Sequence, residues 1–392
     1  LSKNPVNAIY EDPAGNLWVG TVEGGLNRRA PGTHTFDHYT TDAPAHLSHN
    51  SVSCFTADDE GRLWIGTWGG GIGWVDMKNP LNKQFHHIEH SDVWDFLWGL
   101  VGSICYDRLN HAIWVCTSIN IYVYDLKTQT VTEPFKGMNI GGIEGCTGYY
   151  IDRDNYLWLG LTEGLCRIDL SSLKAPKLVY QLWRNKLDEP ESKLKERITY
   201  ITQSKDGTIW VGSNGYGFYK SSLNENKEYI FQSFTTEDGL TNNSVRCLSE
   251  DKEGYIWITT TNGLSRFDPK NNSFLNYTEK DGLLSNQFYW NAMCRAANDD
   301  LYLGSIEGLS VVKPVIDMNK REKVSVAFTH IRVANEERLL DGNTLHLHER
   351  DKSLNLEFVA LDYDAPAFAT YYYRLKGFDD KWVKVPVNRR LA

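Results

Sequence analysis

Three glutamates stand at one offset in the chain: Glu23, Glu163 and Glu307 each lie five residues after an aromatic, at Trp18, Trp158 and Tyr302. Two carboxylates about 5 to 10 Å apart, one of them with a raised pKa, are what hydrolysis of a glycosidic bond requires. Each glutamate also precedes a glycine, and the simpler reading is that it leads into a turn. A second set of side chains suits binding without cleavage. Trp94 and Trp98 fall within residues 91–99, and Trp68 is followed by three glycines that allow close approach. Arg197, Asn214, Tyr216 and Tyr289 add a charge, an amide and two phenols. Aromatic faces for apolar ring surfaces, with amides and charges for hydroxyls, are the equipment of sugar recognition. The competing readings are structural: Trp98 plugging a channel and Tyr216 packing on a neighbour.

Other chemistries find little support. The eleven histidines form no constellation: His86, His87 and His90 lie on one expected outer strand and its exit, His346 and His348 near the C-terminus. The seven cysteines contain no C-x-x-C pair and read as small core residues, not metal ligands or a disulfide frame. Asp152-Arg153-Asp154-Asn155 faintly resembles a calcium loop but lacks its length and terminal glutamate. No metal or cofactor is expected.

The elements that must position these residues are repeats. Leu17-Trp18-Val19-Gly20-Thr21 returns at Leu63, Ile113, Leu157, Ile209, Ile256 and Leu301, with aromatics at 18, 64, 114, 158, 210, 257 and 302. The steps are 46, 50, 44, 52, 47 and 45 residues, a β-rich period that marks propeller blades of four strands. Blade two gives the grammar: strands at 52–57, 63–67, 72–76 and 84–88, with Asp58-Asp59-Glu60-Gly61 as the first turn. Twelve residues before the aromatic stand Val6, Val52, Cys146, Ile198, Val245 and Trp290; blade three departs, with Gly102 there and Val101 one earlier. The repeated tryptophans are expected to pack between blades. Binding is expected on the face carrying the loops between second and third strands and between successive blades, where the repeat breaks. Blade seven shows a third strand at Gly308–Val312 and no fourth before the linker.

The sequence therefore predicts an all-β chain: a seven-bladed β-propeller over 1–316, a linker over 317–323, and a small immunoglobulin-like β-sandwich over 324–392 that is incomplete at its C-terminus. Sandwich strands are expected at 324–331, 354–361 and 371–375, with turns at Asp341-Gly342-Asn343 and Asp364-Ala365-Pro366. Aromatics make up 12% of the chain and hydrophobics 41%, ample for burial. A net charge of −9 lacks the basic stripe that phosphate contacts need, so nucleic acid is not expected as a partner. No apolar run reaches the roughly 18 residues of a membrane span.

These motifs resemble a known family. Gly15 to Leu26 is similar to the repeat of two-component regulator propellers. Ser353 to Tyr363, then Tyr371-Tyr372-Tyr373-Arg374-Leu375-Lys376-Gly377-Phe378-Asp379 and Trp382, resemble the Y_Y_Y domain. The pairing is similar to the sensor region of Bacteroides-type hybrid two-component histidine kinases. That resemblance implies a periplasmic, non-catalytic sensor of an oligosaccharide, a homodimer, and a parent with two propellers, a membrane helix, a kinase and a DNA-binding regulator. It also implies that the chain is a fragment of such a parent. A propeller hydrolase or lyase, and a scaffold for protein partners, are the alternatives, because a fold does not fix a function.

Overall fold

The computed structural model describes residues 1–42, 47–78, 84–88, 92–138, 146, 148–162, 164–175, 177–184, 194, 197–313, 325–342, 344–360, 372–379 and 383–385. The chain divides into two compact units, Leu1–Pro314 and Val315–Ala392.

In the first unit the described residues form seven antiparallel sheets in sequence order, six of four strands and a last one of three. The sheets are propeller blades, and each first strand faces the central channel. The six repeat tryptophans are buried, none more than 2% exposed. Each is held by a bond as well as by packing. The indole N–H of Trp18, Trp64, Trp158 and Trp257 donates to the aspartate six residues earlier, at 2.7–3.0 Å. The same carboxylate accepts two backbone N–H groups of the turn, as Asp58 does from Glu60 and Arg62. One residue thus closes the turn and satisfies the buried indole. Trp210 uses the Ser204 hydroxyl at 2.9 Å. Blade seven changes both partners together: Tyr302 replaces tryptophan, Ala296 stands where the aspartate would, and the phenol accepts from Arg29 of blade one at 2.7 Å.

The glycine of the repeat has a steric cause. A Cβ on Gly20 would lie 2.5 Å from a methyl of Val52, on Gly160 2.6 Å from Ile198, on Gly212 2.7 Å from Val245 and on Gly304 2.6 Å from Val6. In each case the neighbour is the β-branched residue that opens the next blade. Blade three has Cys116 in place of glycine, and there the next blade presents Cys146, which is smaller. The Cys146 side chain beside it and burial push the Cys116 thiol well above its ordinary pKa.

The ring closes with the same contacts that join other blades. The turn N–H of Arg153 bonds the Gln203 side chain of the next blade, and Lys205 N–H bonds Glu250. At closure Ala297 N–H donates to Glu11 of blade one at 2.6 Å. Val6, Ile9, Leu17 and Val19 pack with Ala296 and Tyr302 in one apolar cluster. Among the described residues, closure runs through turns and first and second strands.

One register differs from expectation. Pairing of the opening residue with the end of the second strand runs Val6 to Thr21, Val52 to Thr67, Val101 to Thr117, Ile198 to Ser213 and Val245 to Thr260. In blade seven that place belongs to Phe288, opposite Ser305, and not to Trp290. Five single-residue bulges follow the opening residue in the other blades. Blade seven has a longer one, since Phe288 pairs with Ser305 and Met293 with Leu303. Tyr289 accordingly lies inside the strand Phe288–Arg295, not before it.

In the second unit Val326–Val333 pairs with Leu354–Ala360 and with Glu336–Glu337, and Tyr372–Tyr373 pairs with Val383–Lys384. Ile331, Val333 and Phe358 are buried, with Phe328 set edge-on to Phe358. The expected strand positions at 361, 371 and 324, the turn 364–366, Asn343, Trp382 and linker residues 317–323 lie outside the described residues.

Candidate functional site

The loops that break the repeat form two groups. The first spans blades two and three. Between them the chain makes a short helix, Trp94–Trp98. Phe96 is fully buried against Tyr122 and Tyr124 of blade three, with ring centroids 6.0 and 5.8 Å away. Asp95 accepts from the hydroxyls of Thr117 and Tyr122. Burial and this carboxylate push the Tyr122 phenol well above its ordinary pKa, so it remains a donor. Residues four apart share a helix face, and Trp94 and Trp98 point to solvent, 69% and 55% exposed. Trp98 is therefore not a channel plug.

The last of the three glycines after Trp68 makes room for this helix. A Cβ on Gly71, whose φ is +60°, would sit 2.5 Å from the Leu97 carbonyl. Trp68 is half-buried; its N–H donates to the Ser51 carbonyl at 2.9 Å and it bridges Leu100. The structure thus brings loop and helix together, although no ring contact joins Trp68, Trp94 and Trp98 among the described residues.

The second group spans blades five to seven. Arg197 is exposed at the start of blade five, and its carbonyl accepts the Asn214 N–H at 3.0 Å. Asn214 is exposed and bridges Ser244 of the next blade. Gly215 and Gly217 donate to the Asn243 carbonyl at 3.0 and 2.8 Å, holding half-buried Tyr216 between them. Tyr289 follows in the blade-seven bulge.

Three residues here were not among the expected ones. Asn291, in the bulge, donates from its side chain to the Gly102 carbonyl of blade three at 3.0 Å. Blades three and seven are separated by at least two blades either way round the ring, so this bond bars the channel. Trp290 stacks on Arg246 of blade six, with the guanidinium carbon 4.0 Å from the ring centroid. A sequence signal did exist. The bulge residues of other first strands are Asn7, Ser53, Gly102 and Thr199; Asn7 and Thr199 bond the next blade's carbonyls at Val52 and Val245. Arg246 alone in that set is large and charged.

Beyond the bulge positions the channel holds a cavity of about 230 Å³, lined by Phe55, Tyr149, Tyr150, Tyr200 and Met293 among others. Burial pushes the thiols of Cys54, Cys105 and Cys247 up to about 12. They are protonated at neutral pH and are not nucleophiles. All seven cysteines are free, and no cluster of three or more His, Cys, Asp or Glu occurs among the described residues. Asp152, in the segment likened to a calcium loop, spends its carboxylate on Trp158 and on two turn amides.

The carboxylates weighed for catalysis stand in water. Glu23 is 72% exposed and pairs with Lys3 at 3.3 Å, and Glu307 is exposed. Glu163 lies outside the described residues, as does His90. A general acid for glycoside cleavage is set in a desolvated pocket, and neither described glutamate occupies one.

Comparison with known proteins follows this geometry. The two component regulator propeller family model matches residues 1–23, 46–69 and 239–262, parts of blades one, two and six. Histidine kinase P4 of Formosa agariphila is 23% identical over 59% of this chain and 17% of its own length. The crystal structure of the extracellular domain of hybrid two component system BT3049 from B. thetaiotaomicron superposes with a TM-score of 0.72 at 24% identity, covering 100% of this chain and 51% of that one. Virginiamycin B lyase from Staphylococcus aureus gives a TM-score of 0.56 at 14% identity, covering 79% of this chain and 94% of the lyase. The chain thus spans about half of the solved extracellular domain and a smaller part of the kinase. The structural likenesses show the propeller fold, and the family model marks stretches of blades one, two and six as similar to two component regulator propeller repeats.

Proposed function

We propose that this chain is a non-catalytic sensing portion of an extracytoplasmic, periplasmic part of a hybrid two-component sensor kinase, and that it binds an oligosaccharide on the loop face of the propeller. The observation that carries the reading is the helix Trp94–Trp98. Phe96 and Asp95 anchor it to blade three, while two tryptophans stay exposed where they could have folded inward. Large exposed aromatics on a pinned element cost solubility and suit stacking on a sugar face. Trp68 would add a third surface, and Arg197, Asn214, Tyr216 and Tyr289 polar contacts from the far side of the mouth. Ligand binding would shift a two-state equilibrium of the parent by its differential affinity for the two states, and a homodimer would carry that shift.

Calorimetry of the chain against a panel of neutral and acidic oligosaccharides, with chromatography of the mixtures, tests this reading. Trp94→Ala or Trp98→Ala should weaken binding by about 1 kcal/mol or more, from the apolar area a ring buries. Glu23→Gln and Glu307→Gln should leave every glycan uncleaved, as the unaltered chain does. Product formation abolished by either glutamate change would favour a propeller hydrolase instead. Binding indifferent to the tryptophans would remove this face as the site.

A further inference from the structure

The least settled charge in the propeller is Arg246. Its Nε and Nη1 atoms are shut off from solvent and have no hydrogen-bond partner among the described residues. The titratable groups that act on it are Arg197, which repels it, and the Cys247 thiol, neutral at pH 7; no carboxylate does so among the described residues. Burial draws its pKa down, yet a guanidinium keeps its proton at any neutral pH. A buried cation with unmade bonds is expensive. The neighbouring first strands meet the same position with small residues that are neutral. Trp290 fixes the plane of the guanidinium from one side, leaving its edges to define direction. The residue as a whole is part-exposed and Nη2 is not among the enclosed atoms, so the guanidinium is approached at Nη2.

We propose that Arg246, stacked on Trp290 and flanked by Arg197, is an anion-recognition site at the channel mouth that takes a carboxylate or sulfate group of the ligand. A planar fork of N–H donors matches such oxygens in pairs. An incoming anion would supply the missing charge at Nη2, and a small rotation of the guanidinium would turn one of the enclosed N–H groups toward it as the second tooth of the fork. This rests on the reading that the propeller binds an oligosaccharide, and it narrows the class to acidic ones: uronic acid or sulfated chains.

The test uses the full chain with oligogalacturonates, sulfated galacto-oligosaccharides and neutral xylo-oligosaccharides at constant ionic strength, followed by calorimetry and thermal melts. At least one acidic series should bind and raise the melting temperature. Arg246→Met should weaken that binding at least tenfold, and Arg246→Lys should retain part of it. Which series binds distinguishes carboxylate from sulfate. Without ligand, Arg246→Met should melt no lower than the unaltered chain, because a strained cation has been removed. A melting temperature several degrees lower would make Arg246 a packing residue and overturn the proposal. Acidic ligands bound equally by Arg246→Met would overturn it too. Binding of neutral glycans alone would sink the anion site and leave the sensing reading standing; no binding of any glycan would sink both.

Discussion

The contact between Gly212 and Val245 can be tested by a cycle of two substitutions. A Cβ on Gly212 would lie 2.7 Å from Val245 Cγ1, 3.3 Å from Val245 Cβ and 3.4 Å from Leu248 Cδ1. Carbon atoms prefer about 3.5–4.0 Å, so Gly212→Ala forces the valine methyl back by roughly 1 Å. Overpacking of this kind costs about 1–3 kcal/mol, against a gain of about 0.5–1 kcal/mol from replacing glycine in a strand. Val245→Ala removes two buried methyl groups, a loss of about 2 kcal/mol from transfer and cavity together. In the double variant the offending Cγ1 is gone and the nearest contact becomes 3.3 Å, which small shifts absorb. The double should therefore be more stable than the sum of the singles by about 1 kcal/mol or more. Urea denaturation followed by tryptophan fluorescence measures all four corners. Additivity within about 0.5 kcal/mol would refute the argument that the repeat glycine exists to admit the next blade. The chain already holds one version of the exchange at Cys116 and Cys146.

Two further outcomes follow from the same interfaces. Trp158→Ala should destabilise by roughly 3–5 kcal/mol, since the ring is fully buried and stacks on Trp183 with centroids 5.5 Å apart; an unchanged melting temperature would contradict its role between blades. Burial works against the charge on Asp58, but bonds from Trp64 and Arg62 outweigh it and hold the carboxyl below its ordinary range. A group with a depressed folded pKa stabilises fully above its unfolded value near 4 and loses that contribution as pH falls through the folded one. Melts from pH 6 down to 2 should thus fall less steeply below about pH 4 for Asp58→Asn than for the unaltered chain, and equal slopes would count against it.

Most of the ring was legible because each blade repeats its local chemistry within a few residues. In four blades the aspartate and tryptophan of a turn lie six apart, and the departures stand in the sequence too: Asp107 seven before Trp114, Ser204 before Trp210, and Ala296 with Tyr302. What counting could not find was register. A fixed offset of twelve named Trp290, whereas hydrogen bonding names Phe288, because extra residues in a strand are absorbed by a bulge and not by a shift of the whole ladder. The helix was similarly half-legible. Three aromatics fall in five residues from Trp94 to Trp98, and nothing local says which one turns inward. Blade three decides it, by offering Tyr122 and Tyr124 to Phe96 and a hydroxyl pair to Asp95. Glu23 and Glu307 share one offset in their blades, but both stay in solvent.

A ring of similar blades presents each feature several times, and a small ligand without that symmetry must be read by what occurs once. The single features of this propeller fall on two sides of the mouth: the tryptophan helix at blades two and three, and Arg246 with Trp290 at blades six and seven. They are not independent. Asn291, next to Trp290, bonds the carbonyl of Gly102, and the strand of Gly102 begins directly after the loop that ends the helix at Gly99. The hydrogen bond of Asn291 thus ties the bulge beside Trp290 to the strand that follows the helix of Trp94 and Trp98.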